Sequence, residues 1–107
     1  MHLKRRLFNS LIKVFEKELE GNGFELFVFG SQANRAKLIA ADIDLGFRTN
    51  RSLELSTLNR IKHQLNNELP SLYTFDVVDF NKVETSFAAV ALKNIEILHN
   101  DTSKSES

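Results

Sequence analysis

The sequence contains no cysteine, and this absence excludes a disulfide scaffold, a zinc ribbon and a thiol nucleophile. It also lacks net charge, because 14 basic and 14 acidic residues cancel, so direct binding to nucleic acid is not expected. No apolar run approaches the ~20 residues that cross a bilayer. Charged residues follow the basic N-terminus, and no signal peptide is therefore predicted. These absences predict a small soluble protein of the cytoplasm that does not bind membranes.

The composition that remains is typical of one globular domain. A chain of 107 residues with 42% hydrophobic content can bury a single core. No linker rich in proline, glycine or serine interrupts it before residue 100. We therefore predict one domain over residues 1–99 and a polar, serine-rich, disordered tail over residues 100–107.

The spacing of apolar residues predicts the element order α-β-α-β-α-β-α, an α+β fold in which helices cover a small sheet. Helices are predicted from Leu3 to Leu19, over Gln32–Leu38, over Ser52–Leu69, and from Asn81 to Leu98; strands are predicted over Phe24–Phe29, Asp42–Phe47 and Leu72–Phe80. The sequence pattern alone leaves the directions of the strands open.

Two carboxylates stand two residues apart in the second predicted strand. Because alternate residues of a strand face the same way, Asp42 and Asp44 point together. Their repulsion is relieved by a cation, and hard oxygen ligands without histidine or cysteine favour Mg²⁺ or Mn²⁺. In an isolated pair, the more common situation is that one residue caps a turn and the other is solvated. A calcium loop is excluded, because Gly46 and Phe47 stand where that loop needs an oxygen ligand and a glycine.

A second feature, Gly30-Ser31, follows the first predicted strand. Glycine lets a ligand approach the backbone, and the amides at the start of a helix together with the Ser31 hydroxyl can donate to a phosphate. By itself this pair equally indicates a turn with a helix cap. No other phosphate-binding glycine loop of the common nucleotide-binding types is present.

Taken together, Gly30-Ser31, ten further residues and then Asp42-Ile43-Asp44 resemble the G-S-x10-D-x-D pattern of the polymerase-beta-like nucleotidyltransferases. The segment Phe75–Phe80 resembles the strand that carries the third acid of that family. The resemblance spans about Phe24 to Leu98 and is strongest to the minimal nucleotidyltransferase (MNT) branch. Members of this branch are single small domains, often encoded beside a HEPN-domain protein as a toxin–antitoxin pair.

The resemblance implies a mixed sheet, ATP as the nucleotide donor, and two Mg²⁺ (or Mn²⁺) ions held by Asp42, Asp44 and Asp76. It implies that Gly30 and Ser31 hold the triphosphate, and that Asp76 also activates the attacking hydroxyl. Asp79 lies three residues beyond Asp76 and so faces the other side of a strand. We expect a structural role for Asp79.

The sequence departs from the commonest form of the family motif at Gln32, Asn34, Arg35 and Ala41. These positions usually carry the arginines, the second glycine and the serine of the motif, so the departures weaken the expected phosphate contacts. Arg35 or Lys37 offers a replacement charge for the triphosphate, although either side chain can equally be solvated.

The expected function is transfer of AMP from ATP to a hydroxyl of a HEPN-domain partner, an antitoxin that adenylylates its toxin. The alternative is a binding module, weak or inactive as an enzyme, that neutralises the toxin by contact. Transfer to a small molecule is disfavoured, because the chain has no second substrate-binding domain. Nine phenylalanines in so short a chain also suggest an exposed apolar surface for a homo- or hetero-oligomer.

Overall fold

The computed structural model describes residues 2–29, 42–69 and 73–102, with side chains from Arg5 onward. Three helices and four strands lie in these ranges: α1 His2–Glu18, β1 Phe24–Phe29, β2 Asp42–Thr49, α2 Leu55–Asn67, β3 Thr74–Asp79, α3 Thr85–Ala91 and β4 Ile95–Asn100. None of the described helices is long and apolar enough to cross a bilayer. The predicted helix over Gln32–Leu38, Pro70 and residues 103–107 lie outside the described residues.

The strands form one mixed sheet in the order β3-β2-β1-β4. Strand β1 is antiparallel to both of its neighbours, whereas β2 and β3 are parallel and are joined by α2. A parallel pair needs such a crossover, because a tight turn can only reverse the chain. The predicted α+β class with a mixed sheet is therefore confirmed.

The two faces of the sheet are covered differently. On one face, which we call the helix face, α1 and α2 bury Leu26, Ile43, Leu45 and Val77 in the main core. The opposite face, which we call the acid face, is covered in part by α3, which packs on a smaller cluster around Phe27. All six side chains of β1 are buried, as expected for a strand with protein on both sides.

One glycine permits the close packing of the smaller cluster. A Cβ atom at Gly46 would lie 2.5 Å from ring atoms of both Phe27 and Phe80. Rings in a packed cluster have little room to move, so a side chain at position 46 would clash with them. Gly46 thus lets the two rings lie directly over β2.

The end of the chain corrects the predicted extent of the last helix. The helix expected to reach Leu98 ends at Ala91, and Ile95–Asn100 form β4 along β1. Ile95 and Leu98 fit helical spacing, but the open edge of β1 offers that segment a ladder of backbone hydrogen bonds, with a register shift between Leu26 and Phe27. Of the tail predicted over residues 100–107, Asn100 is the last residue of β4 and the Asp101 carboxylate accepts a hydrogen bond from the Phe24 amide at 2.8 Å.

Candidate active site

Strand β2 presents Asp42 and Asp44 on the acid face. Their neighbours in the strand, Ile43 and Leu45, are fully buried on the helix face, whereas Asp42 is exposed and Asp44 half-buried. The alternation of a half-covered strand therefore orients both carboxylates, as predicted from their spacing.

Strand β3 brings Asp76 to the same place. In the parallel pairing of β2 with β3, Asp44 is the Cα partner of Asp76, and Asp42 is the partner of Thr74. Paired residues of adjacent strands carry their side chains on the same face, with the strands about 4.8 Å apart. Residues distant in sequence thus place three carboxylates at one end of the acid face.

The charges of the cluster affect the pKa of its central acid, Asp44. Partial burial raises the pKa of the Asp44 carboxyl above its usual value, and the negative charges of Asp76 and Asp42 raise it further. Each of these causes disfavours the ionised form of Asp44. A cation beside the three groups would reverse the effect, because it compensates the charge that they share.

The donor chemistry of the cluster fits Mg²⁺ or Mn²⁺, which prefer carboxylate oxygens. Within the described ranges, no three His, Cys, Asp or Glu side chains are already drawn close enough to form a set of metal ligands. The backbone therefore places the acids side by side, and their side chains would have to rotate toward a metal ion to coordinate it.

The sequence model of the family described as polymerase beta, nucleotidyltransferase matches residues 9–103. The chain belongs to this nucleotidyltransferase family. Among curated proteins, no sequence matches it significantly.

Solved structures share the fold of this nucleotidyltransferase. A toxin–antitoxin complex with AMP-PNP aligns with a TM-score of 0.72 at 19% identity, covering 92% of this chain and 77% of that chain. The MNT antitoxin complex of a tri-AMPylated HEPN toxin from Shewanella oneidensis aligns with a TM-score of 0.68 at 19% identity, covering 94% and 75%. A complex of MntA with HepT aligns with a TM-score of 0.68 at 18% identity, covering 94% and 75%. The predicted polymerase-beta-like nucleotidyltransferase family and fold are confirmed.

Asp79 has the orientation expected from its spacing. Its side chain is 7% exposed on the helix face, and its Oδ1 accepts a hydrogen bond from the Asn81 amide at 2.9 Å. The Lys82 ammonium lies 4.0 Å from the other carboxylate oxygen. Asp79 thus shapes the turn after β3 and lies on the opposite side of the sheet from the acid cluster.

The predicted phosphate-binding residues, Gly30 and Ser31, lie outside the described residues, as do Arg35, Lys37 and Ala41. The described part fixes the point from which this segment departs. Strand β1 ends at Phe29, and Phe29 is the Cα partner of Asp44 in β2. The last described residue before the Gly-Ser motif therefore lies directly beside the central acid.

A group of phenylalanine rings lies beside the acids, and no local sequence pattern indicates this position. Phe29 and Phe80 lie 5.2 Å apart at their centroids on the acid face, and Phe87 from α3 lies 6.2 Å from Phe29. Phe29 and Phe80 are each 7% exposed, whereas Phe87 is 44% exposed. Only the packing of α3 against the sheet reveals that this ring lies against Phe29, the strand partner of Asp44.

A polar groove of about 560 Å³ between α1 and α2 lies away from the acids. Lys17, Arg60 and His63 line it, but Arg60 already donates to Glu18 at 3.1 Å. The groove consequently offers little uncompensated positive charge, and we assign it no part in the chemistry.

Proposed function

We propose that this chain is a Mg²⁺-dependent nucleotidyltransferase that moves AMP from ATP to a hydroxyl of a HEPN-domain partner. The observation that supports it best is the pairing of Asp44 with Asp76 beside Asp42, in a chain of the nucleotidyltransferase family. Hard carboxylates at this density serve little structural purpose, because their mutual repulsion costs stability.

Each carboxylate has a role in the proposed reaction. Asp42, Asp44 and Asp76 would hold the divalent cations, which supply neutralisation of the charge on the triphosphate. Asp76 would take the proton of the attacking hydroxyl. The acceptor oxygen then forms a bond to the α-phosphorus of ATP, the bond to the β-phosphate breaks, and pyrophosphate leaves. Gly30 and Ser31 are proposed to hold the triphosphate, through backbone amides and the Ser31 hydroxyl.

The identity of the partner rests on the structural relatives. The solved complexes that share this fold pair an MNT antitoxin with a HEPN toxin, and one of those toxins is described as tri-AMPylated. We propose that the reaction takes place in the cytoplasm, with which a chain free of cysteine is consistent.

Intact mass spectrometry tests the proposal directly. The chain is incubated with its HEPN partner, ATP and Mg²⁺, and we expect roughly 329 Da per modified site, the increment of nucleotidyl rather than phosphoryl transfer. Asp76→Asn should abolish the addition without dissociating the complex, because Asp76 is exposed on the acid face. Glu16→Gln, at an exposed position of α1, is the matched control and should transfer AMP normally.

The contact-only alternative predicts a different result. The partner would be neutralised without a change in mass, and Asp76→Asn would neutralise it as well as the wild-type chain does. That pair of observations would refute the enzymatic proposal and leave a binding antitoxin.

A further inference from the structure

The ring of Phe87 is the exposed member of an otherwise buried aromatic cluster. Phe27, Phe29 and Phe80 are each at most 7% exposed, whereas Phe87 is 44% exposed. Phe87 meets Phe29 edge-on at 88° and lies tilted against Phe80 at 5.7 Å. Its position is therefore set by two rigid neighbours, while a large part of its surface stays open to a ligand.

This open ring adjoins the carboxylates through a single residue. Phe29 and Asp44 are paired across β1 and β2 on the acid face, so their Cβ atoms lie about 4.5–5.5 Å apart. The ring centroid of Phe87 is 6.2 Å from that of Phe29. A nucleotide whose phosphates lie at Asp44 can thus reach Phe87 with its base, because the base and the phosphates lie at opposite ends of a nucleotide.

The chemistry of the ring identifies the group that it would bind. A flat aromatic base stacks on a phenylalanine face, and such stacking adds affinity in complexes with single-stranded nucleic acids. Phenylalanine offers no hydrogen bond, so it adds affinity without choosing among bases. Val90, also exposed on α3, has no such face and cannot substitute for it.

We propose that Phe87 is the stacking surface for the base of the nucleotide whose phosphates bind at the acid cluster. This inference rests on the proposed function, because it takes the acid cluster as the site of the phosphates. It assigns α3 a part in substrate binding and predicts that Phe87 contributes similarly to the binding of ATP and GTP.

Calorimetry with two probes separates the base from the phosphates. Phe87→Leu keeps an apolar side chain for packing but removes the aromatic face. We expect it to weaken binding of AMP-PNP with Mg²⁺ by about tenfold, within the range for loss of one base stack. Binding of tripolyphosphate with Mg²⁺, which has no base, should be unchanged. Phe87→Tyr should restore AMP-PNP affinity, and Val90→Ala is the matched control on the same helix.

Four other results would contradict a stacking role for Phe87. If Phe87→Leu binds AMP-PNP as the wild-type chain does, while AMP transfer to the partner proceeds, the inference is wrong and the proposed function stands. Equal weakening of AMP-PNP and tripolyphosphate would also contradict stacking and indicate a distorted site. Loss of partner binding with unchanged nucleotide affinity would show that Phe87 is a docking residue instead. If the wild-type chain binds neither probe, both the proposed function and the inference fail.

Discussion

Asp44 has the environment that most clearly separates a functional carboxylate from a structural one. Asp79 accepts a backbone hydrogen bond and lies near Lys82, whereas the charges acting on Asp44 are the like charges of Asp76 and Asp42. Alternation along a strand was enough to predict that Asp42 and Asp44 face together and that Asp79 faces away from Asp76. The pairing of Asp44 with Asp76 required the parallel register, which no local pattern specifies.

Removing the charge of Asp44 should therefore stabilise the metal-free protein. Because the folded-state pKa of Asp44 is raised, its ionised form disfavours folding above that pKa, and the penalty disappears as pH falls through it. Asp44→Asn should melt at or above the wild-type temperature near pH 7, and the difference should shrink toward about pH 4. Thermal melts in EDTA measure this.

Added Mg²⁺ supplies the control for the Asp44 experiment. It should raise the melting temperature of the wild-type chain but not that of Asp44→Asn, since binding to the native state stabilises it. A variant that melts well below wild type at every pH would indicate a structural role for Asp44.

At the scale of elements, α2 holds the outer edge of β3 through one side chain. Asn66 donates from Nδ2 to the Phe75 carbonyl at 3.0 Å and accepts at Oδ1 from the Phe75 amide at 2.8 Å. An edge strand has no neighbour for these groups, so the amide takes the place of one more strand. The residue held in this way immediately precedes Asp76, and α2 consequently helps to fix the position of the third acid.

Asn66→Ala should slow AMP transfer more than it weakens nucleotide binding. We expect a fall of about tenfold in kcat with little change in the KM for ATP, because a small displacement of a reacting group costs rate. Loss of the hydrogen bonds should lower the free energy of unfolding by about 1–2 kcal/mol. Asn67→Ala is the matched control, since Asn67 donates to His63 within α2. A change in KM alone would argue against a positioning role.

The helix predicted to reach Leu98 is wrong for a reason that also lies in how the elements pack. Helical spacing continues from α3 into Ile95 and Leu98, so local periodicity could not mark the end of the helix. The strand forms because β1, buried on both faces, also needs hydrogen bonds along its second edge. The need for a strand at that edge arises only in the assembled sheet, so the apolar pattern of residues 83–98 cannot indicate it.

For the whole molecule, the two faces of the sheet separate the larger core from the proposed active site. The helix face contains the larger core, in which Leu11 and Phe15 of α1 are fully buried. The acid face carries the three carboxylates and α3, a helix with no buried residue. Such a helix is stabilised by few contacts, so it should open at a lower free energy than α1. The fold class followed from composition and periodicity, but this asymmetry depends on packing alone.

Native-state hydrogen exchange measures that asymmetry and links it to the substrate. The amides of α3 should exchange at least tenfold faster than those at the centre of α1, because local opening exposes little apolar surface. Binding of AMP-PNP with Mg²⁺ should slow exchange in α3 through contact with Phe87, whereas tripolyphosphate should not. Phe87→Leu should lose this protection, since ligand binding stabilises only the conformations that it contacts. If the amides of α3 exchange as slowly as those of α1 without nucleotide, the acid face is as stable as the helix face and this prediction is wrong.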